Sequence, residues 1–365
     1  MTAPAAQETL SFKSTRPAWA GLDSVLHILA TSSGVLVMVM LASLVTVLFI
    51  AALPSIKTFG ASFLVTSDWR PNEREQPKLG PDGKVMTNSD GETVMETVPP
   101  SFGALPVIYG TAVSATLSLL IAVPLSLGAA VFLIRIAPYA LAGPVSFLVE
   151  FLAAIPSIAY GIWGLFIVVP FLQTSIEPKI IALCAHTPGL EWFVHQTLHL
   201  NGRTMTRVLA ATGRDMLCGS VVLAIMIVPI ICAISRDVLK QVPRAQVEGT
   251  VALGSTWWQS TKEMILFARA GLFGAVMLGL ARAAGETMAV TMVIGNNNQI
   301  VASPLAPAQT MSSLLATEFA EASTDIHHAA LCEVALVLLA MSLLFNITAR
   351  YLVVGKGGGR AGAAF

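Results

Sequence analysis

Six stretches of this chain are apolar for long enough to cross a lipid bilayer, at approximately residues 25–53, 104–134, 145–172, 216–234, 270–294 and 329–353. Crossing the hydrocarbon takes about 20 mainly apolar residues as a helix, because lipid offers no hydrogen bonds and the backbone must satisfy its own. The surrounding composition agrees: 55% of the 365 residues are hydrophobic, 12% are charged and the mean hydropathy is +0.74. A soluble domain carries about 25% charged residues. The chain therefore predicts an all-α integral membrane protein with six transmembrane helices. Pro124 and Pro156 fall inside two of the runs and predict kinks. The first run is too long, and too poorly ended by small residues, for a cleaved signal peptide, so it reads as a retained helix.

Between the runs the chain divides into a polar tail (1–24), the first helix (25–53), a polar loop (54–103), a helical body (104–353) and a Gly-rich tail (354–365). An even number of spans puts both termini on one side. That side holds eleven Lys and Arg, the other nine, and the nine lie in two longer segments, 54–103 and 173–215, that can cross regardless of charge. This predicts cytoplasmic termini, with both segments outside. Two Asp-Gly signals between residues 81 and 91 predict a small exposed hairpin in the first of them. In the second, Glu191, His195 and His199 are spaced by four, which on a helix is one face: formally a metal-ligand arrangement, and more simply a solvated amphipathic surface. The four cysteines, Cys184, Cys218, Cys232 and Cys332, form no CxxC pair and read as free buried thiols. A net charge of zero gives no sign of a nucleic-acid partner.

The largest loop on the side of the termini, 235–269, is too polar to span and too apolar to float free. Two short amphipathic helices broken near Gly254, entered at Pro243, predict a docking surface for another protein or a segment folded onto its own bundle. The loop resembles the EAA motif of ATP-binding-cassette importer permeases, with Glu248, Gly249, Thr250, Gly254, Met264, Leu266 and Phe267 at the motif's positions. The motif's Glu, Gly and Leu are kept; its two alanines, Ile and Pro are replaced. Three further stretches narrow the likeness: FGALPVIYGTAVSATLSLLIAVPLSLGAAVFL (102–133), VEFLAAIPSIAYGIWGLFIVVP (149–170) and LARAAGETMAVTMVIGN (280–296), with SDWRPNE near 67–73. Together they resemble the C-type (PstC) membrane subunits of phosphate importers, within the MetI-like permease family, and GETMAV favours this type over its A-type partner. The segment 173–215 is longer than that family leads one to expect.

The resemblance implies a MetI-like ABC importer permease fold and a phosphate pathway shared with a homologous A-type permease. It also implies two cytoplasmic ATPase subunits, which bind the ATP and Mg, and a periplasmic phosphate-binding protein. Glu248, Gly249, Gly254 and Leu266 would then be ATPase-coupling residues, with no cofactor or catalytic residue on this chain.

Within the fifth run Arg282 and Glu286 stand four residues apart. An Arg at mid-bilayer costs about 2.5–3.5 kcal/mol on insertion scales and usually faces a partner or a watery path. One reading is an internal ion pair that steadies the bundle, although cation before anion is the weaker order. The other is a pathway residue, since a guanidinium matches an oxyanion's geometry and stays charged. Glu286 would then temper that charge and accept a hydrogen bond from a protonated phosphate, rejecting sulfate. Gly279 and Gly285, with the intervening alanines, predict close helix packing. Glu150 and Glu333 read as residues near an interface or paired within the bundle, and Trp163 as packing. A permease for another oxyanion, molybdate or sulfate, is the alternative; paired acids or an activated nucleophile for a membrane enzyme are not found.

Overall fold

The computed structural model describes residues 20–77, 93, 95–187, 193–200, 203–208 and 210–357. Among them the backbone is helical through most of the apolar runs. The helices are α1 (Ala20–Phe59), α2 (Ser62–Val65), α3 (Leu105–Val131), α4 (Tyr139–Ala153), α5 (Ser157–Trp163), α6 (Val169–Phe171) and α7 (Glu177–Ala185). They continue with α8 (Met216–Lys240), α9 (Arg244–Ala252), α10 (Trp257–Phe267), α11 (Arg269–Ala284), α12 (Met288–Val293), α13 (Met311–Glu318) and α14 (Asp325–Gly357). Wide π-helical turns extend α3 through Ile136 and join α5, α6 and α7 into one helix, Ser157–Ala185. By length and composition five helices can cross a membrane, or six when α10 and α11, bent by 68° at Ala268, count as one span.

Contacts divide the chain into two units, Met1–Ile50 and Ala51–Phe365. In the first, the α1 side chains from Val25 to Ile50 are almost all exposed, an apolar surface suited to lipid. In the second, α8 is the axis. It packs on α3, α11 and α4, and its buried Val222, Leu223, Ile227 and Ile231 meet Tyr160, Val168, Ala283 and Val290 in the main core. A second core gathers Phe63, Trp69, Phe102, Met311 and Leu331, and a third gathers Leu133, Leu239, Met264 and Leu272.

Three expectations change. The third apolar run is not one helix: the chain breaks at Ala154–Pro156, where Pro156 has no N–H to continue α4, and the span is Ser157–Ala185. Residues 173–185, expected in the loop after the third span, are therefore part of this apolar helix. The fifth run is also broken, since α11 stops at Ala284 and α12 starts at Met288. Finally, 195–200 is a strand rather than a helix. It pairs antiparallel with 203–208, setting His195 opposite Val208 and His199 opposite Thr204, so the helical face expected for the two histidines does not form. In the first polar loop two strands pair antiparallel, β1 (Arg74–Pro77) with β2 (Met95–Val98), and the second pair is β3 (His195–Leu200) with β4 (Arg203–Val208). The Asp-Gly turns, Glu191 and the tails 1–19 and 358–365 lie outside the described residues.

A non-helical segment, 295–310, runs through the body of the second unit, where unpaired backbone would be costly. Its groups are satisfied instead. Met216 and Leu217, at the start of α8, donate to the carbonyls of Ala306 (3.1 Å) and Pro304 (2.8 Å), and Met311 N–H donates to Thr111 Oγ1 at 2.9 Å. Gly110 lets the segment approach: a Cβ there would stand 2.1 Å from the Gln309 carbonyl oxygen. Gly295, at φ +94°, makes the entry turn.

Candidate functional site: a helix break and an exposed loop

Arg282 occupies the last turn of α11, where a cation is favoured by the helix dipole. Helix α11 lies close against α8 because Gly279 has no side chain; a Cβ there would sit 2.5 Å from Ile231 Cδ1. Gly285, expected to pack likewise, is exposed and instead ends α11. Because the helix stops there, Arg282 and Glu286 are not on one helical face, and no ion pair joins them among the described residues. Arg282 is exposed on this chain, with no hydrogen bond or salt bridge among the described residues, and its charge reaches the buried Tyr160 at the start of α5. The Tyr160 hydroxyl is already committed, donating to the Leu152 carbonyl at 2.8 Å across the Pro156 break.

Glu286 sits in the break and is 8% exposed. Its Oε1 accepts from Ala289 N–H at 3.4 Å, the manner of a helix cap, while its carbonyl accepts from the buried Ser312 hydroxyl at 2.7 Å. The side chain is thus held by α12, and the backbone by α13, rather than by the arginine. The arrangement is an uncompensated guanidinium beside a fixed, separate carboxylate, both at a discontinuity between two helices. Groups of these two kinds suit a singly protonated oxyanion: a cation offsets its charge and a carboxylate accepts a hydrogen bond from its O–H.

The second site is the loop from Gln241 to Ala268. Thr256 and Gln259 form a reciprocal capping box that starts α10, and Gly254, at φ +81°, turns the chain between α9 and α10. Helix α9 has no buried residue, so Glu248 and Gly249 are exposed, and Gly254 has open space around it. Leu253 is 90% exposed and Trp258 64%, with Leu266 and Phe267 also exposed. A groove between the two helices is lined by Gln246, Val247, Thr250, Glu263, Met264, Leu266 and Phe267. Buried Met264 and Ala268 fix the loop to the body: one face folds back and the other is bare.

Arg135 is one of the eleven Lys and Arg on the side expected to hold the termini. It leaves the end of the α3 span, donates to Ser260 Oγ at 3.3 Å and lies 5.9 Å above the Trp257 ring. Ser260 in turn accepts from Thr250 at 3.1 Å, so one arginine ties a spanning helix to both loop helices. Nothing in the spacing of residues could have paired positions 135 and 260. Glu150, read as lying near an interface or in the bundle, is paired: Arg236 Nη2 is 2.8 Å from its Oε1 and 2.8 Å from Asp237 Oδ1. Glu333 is buried in α14, close to Ser55, Trp163 is exposed at 40%, and the four cysteines are free.

No protein-family model matches the chain. Among curated relatives, the phosphate transport system permease protein PstC of Mesorhizobium japonicum is 37% identical over 356 residues, 96% of this chain and 97% of that protein. PstC of Haemophilus influenzae is 37% identical, covering 87% of this chain and 89% of that one. PstC 1 of Mycobacterium tuberculosis is 35% identical, covering 83% and 85%. Among solved structures, a chain of the MetNI methionine ABC transporter in inward-facing conformations is similar at a TM-score of 0.46 and 17% identity, covering 69% of this chain and 94% of that one.

Proposed function

Because the chain belongs to the PstC family of phosphate transport system permease proteins, we propose that it is the membrane permease subunit of an ATP-driven phosphate importer and forms half of the phosphate path. It is a multi-pass membrane protein whose work is transport rather than catalysis. Phosphate would arrive from a periplasmic binding protein and pass between this chain and a homologous A-type permease. The energy would come from two ATPase subunits that hold ATP and Mg, so this chain needs no cofactor of its own. Both termini and the α9–α10 loop would lie in the cytoplasm of a bacterial cell, beneath its inner membrane.

The observation that carries the pathway reading is Arg282: exposed on the chain, at a helix break, with no carboxylate of its own among the described residues. A structural arginine at membrane depth would be expected to find a permanent counter-charge. This one is left for a visitor. Transport also requires that the visitor leave, and a single guanidinium with a carboxylate nearby holds an anion less tightly than a closed cage of donors. In the same way, the exposed Glu248, Leu253 and Trp258 support an ATPase-docking role for the α9–α10 loop, and Arg135 would pass its movement to α3.

Replacing Arg282 with Gln tests the reading. Phosphate uptake by cells carrying the full set of subunits should fall to background, while the ATPase still co-purifies with the permease. Normal uptake in that variant would remove Arg282 from the path. Competition with molybdate and sulfate against labelled phosphate separates the phosphate reading from the alternative oxyanions: inhibition by either at concentrations comparable to phosphate would favour that anion.

A further inference from the structure

At the end of the bundle away from the α9–α10 loop, two acidic side chains are buried together. Glu177, the first residue of α7, is 1% exposed, and Asp215, the residue before α8, is 0% exposed. Each carboxyl has one oxygen engaged by a backbone N–H. Glu177 Oε2 accepts from Gly213 at 3.0 Å, and Asp215 Oδ1 accepts from Cys218 at 2.7 Å, capping α8. The two other oxygens, Glu177 Oε1 and Asp215 Oδ2, are buried with no donor, although the two side chains are within hydrogen-bonding reach of each other.

Two adjacent buried carboxylates without a counter-ion are not tenable, since like charges in a low dielectric repel and neither retains its water. Among the described residues no cation comes from the surroundings. Arg214, next in the chain, is exposed and turns its guanidinium to the Met292 carbonyl at 3.2 Å. Lys179 on α7 is exposed, the Cys218 thiol on α8 carries no positive charge, and the 295–310 segment contains no ionisable residue. One proton between Oε1 and Oδ2 satisfies both orphaned oxygens and removes one of the two charges. This is the arrangement of paired carboxylates that share a proton.

We propose that Glu177 and Asp215 form a proton-binding site, in which one shared proton bridges Glu177 Oε1 and Asp215 Oδ2 and fastens the loop at 210–215 and the start of α8 onto α7. Ionisation affinities support this: burial, reinforced by the neighbouring Glu177 carboxylate, pushes Asp215 from 3.8 up to about 7. The site needs no transported ion. Only its assignment to the periplasmic side, and hence to external pH, rests on the orientation proposed above.

The same geometry says what loss of the proton does. Gly213, at φ +68°, is held between Glu177 and the Val169 carbonyl oxygen, which a Cβ would approach to 2.6 Å. Deprotonation places two carboxylates against each other on either side of that turn, so the turn loosens. A carboxyl whose affinity for protons is raised on folding stabilises the fold most at acid pH, and that stabilisation is lost between its ordinary value, 3.8, and about 7.

The test uses the purified, assembled transporter in detergent. The difference between its melting midpoint and that of Asp215→Asn, followed from about pH 5 to pH 8, should fall as pH rises to about 7 and become constant above. The Asn amide supplies a permanent donor to Glu177 Oε1, so its own profile lacks this component. Superimposable pH profiles of the two proteins would overturn the proposal. So would Na⁺ or Ca²⁺ at about pH 8 restoring the wild-type midpoint to its acid value, because the pair would then hold a metal cation. Hydrogen–deuterium exchange over residues 210–218 of the wild-type complex needs no variant, should Asp215→Asn fail to assemble. Corrected for intrinsic rates, protection should fall as pH passes about 7; unchanged protection overturns the proposal. None of these measurements requires phosphate uptake, so an Arg282→Gln variant that still transports would leave this result standing.

Discussion

At the residue scale the fifth apolar run shows how two charges spaced like helical partners come to be separate. A continuous helix would have stacked Arg282 and Glu286 one turn apart. Gly285 ends α11 instead, and Glu286 turns its carboxylate to Ala289 N–H in the next short helix. Each side chain therefore has its own role to test. Glu286→Gln keeps an oxygen for that N–H and removes the charge, so the fold should survive. If the carboxylate distinguishes protonated phosphate from sulfate, sulfate should inhibit phosphate uptake at least tenfold more strongly in this variant, which corresponds to about 1.4 kcal/mol of lost discrimination. Unchanged inhibition would leave Glu286 a cap and nothing more. The anion-rejecting role is an expectation that the sequence suggests as chemistry, whereas the capping contact was not visible there, because it depends on where the helix stops.

At the element scale the segment 295–310 carries the strongest packing demand. Extended backbone survives there because α8, α3 and α13 supply its partners, and because Gly110 leaves room for Gln309. Gly110→Ala places a methyl group against that carbonyl oxygen, a backbone atom that cannot swing aside. Overpacking of this kind costs about 1–3 kcal/mol, so the melting midpoint of the assembled transporter should fall; a midpoint equal to wild type would show that the segment yields freely. Gly128, in the same helix, has open space around it and serves as the control. The sequence marks both glycines alike. Only the neighbour that arrives from two hundred residues away separates them.

At the scale of the whole molecule the bundle has two differently built ends. One is closed by buried polar groups: Glu177 with Asp215, and Trp69 Nε1 donating to Glu318 at 2.8 Å beside His327 at 3.1 Å from the same oxygen. The other presents an exposed apolar loop tied to the spans by Arg135 and by the core around Leu239 and Met264. Such asymmetry suits a machine that receives its substrate at one end and its energy at the other. Changing Glu248 to Lys reverses a charge on the bare face of α9 without touching the core, so the chain should fold and enter the membrane normally. Co-purification of the ATPase should drop at least tenfold, and unchanged recovery would rule out this face as the docking surface.

Periodicity and composition alone determined that the chain is helical and crosses a membrane, since about 20 residues without charge have no other stable course through lipid. They also marked the two stretches of interest, the lone arginine in an apolar run and the half-apolar loop at 235–269, because charge in oil and oil in water are each visible one residue at a time. Where helices break was not legible in the same way. A proline or glycine permits a break, as at Pro156 and Gly285, but whether the chain takes it depends on what packs across the gap. The pairing of Arg135 with Ser260, of Glu177 with Asp215 and of Gly110 with Gln309 was beyond the sequence altogether. Each joins residues tens to hundreds of positions apart, and no local propensity encodes a contact that exists only after the helices have been set side by side.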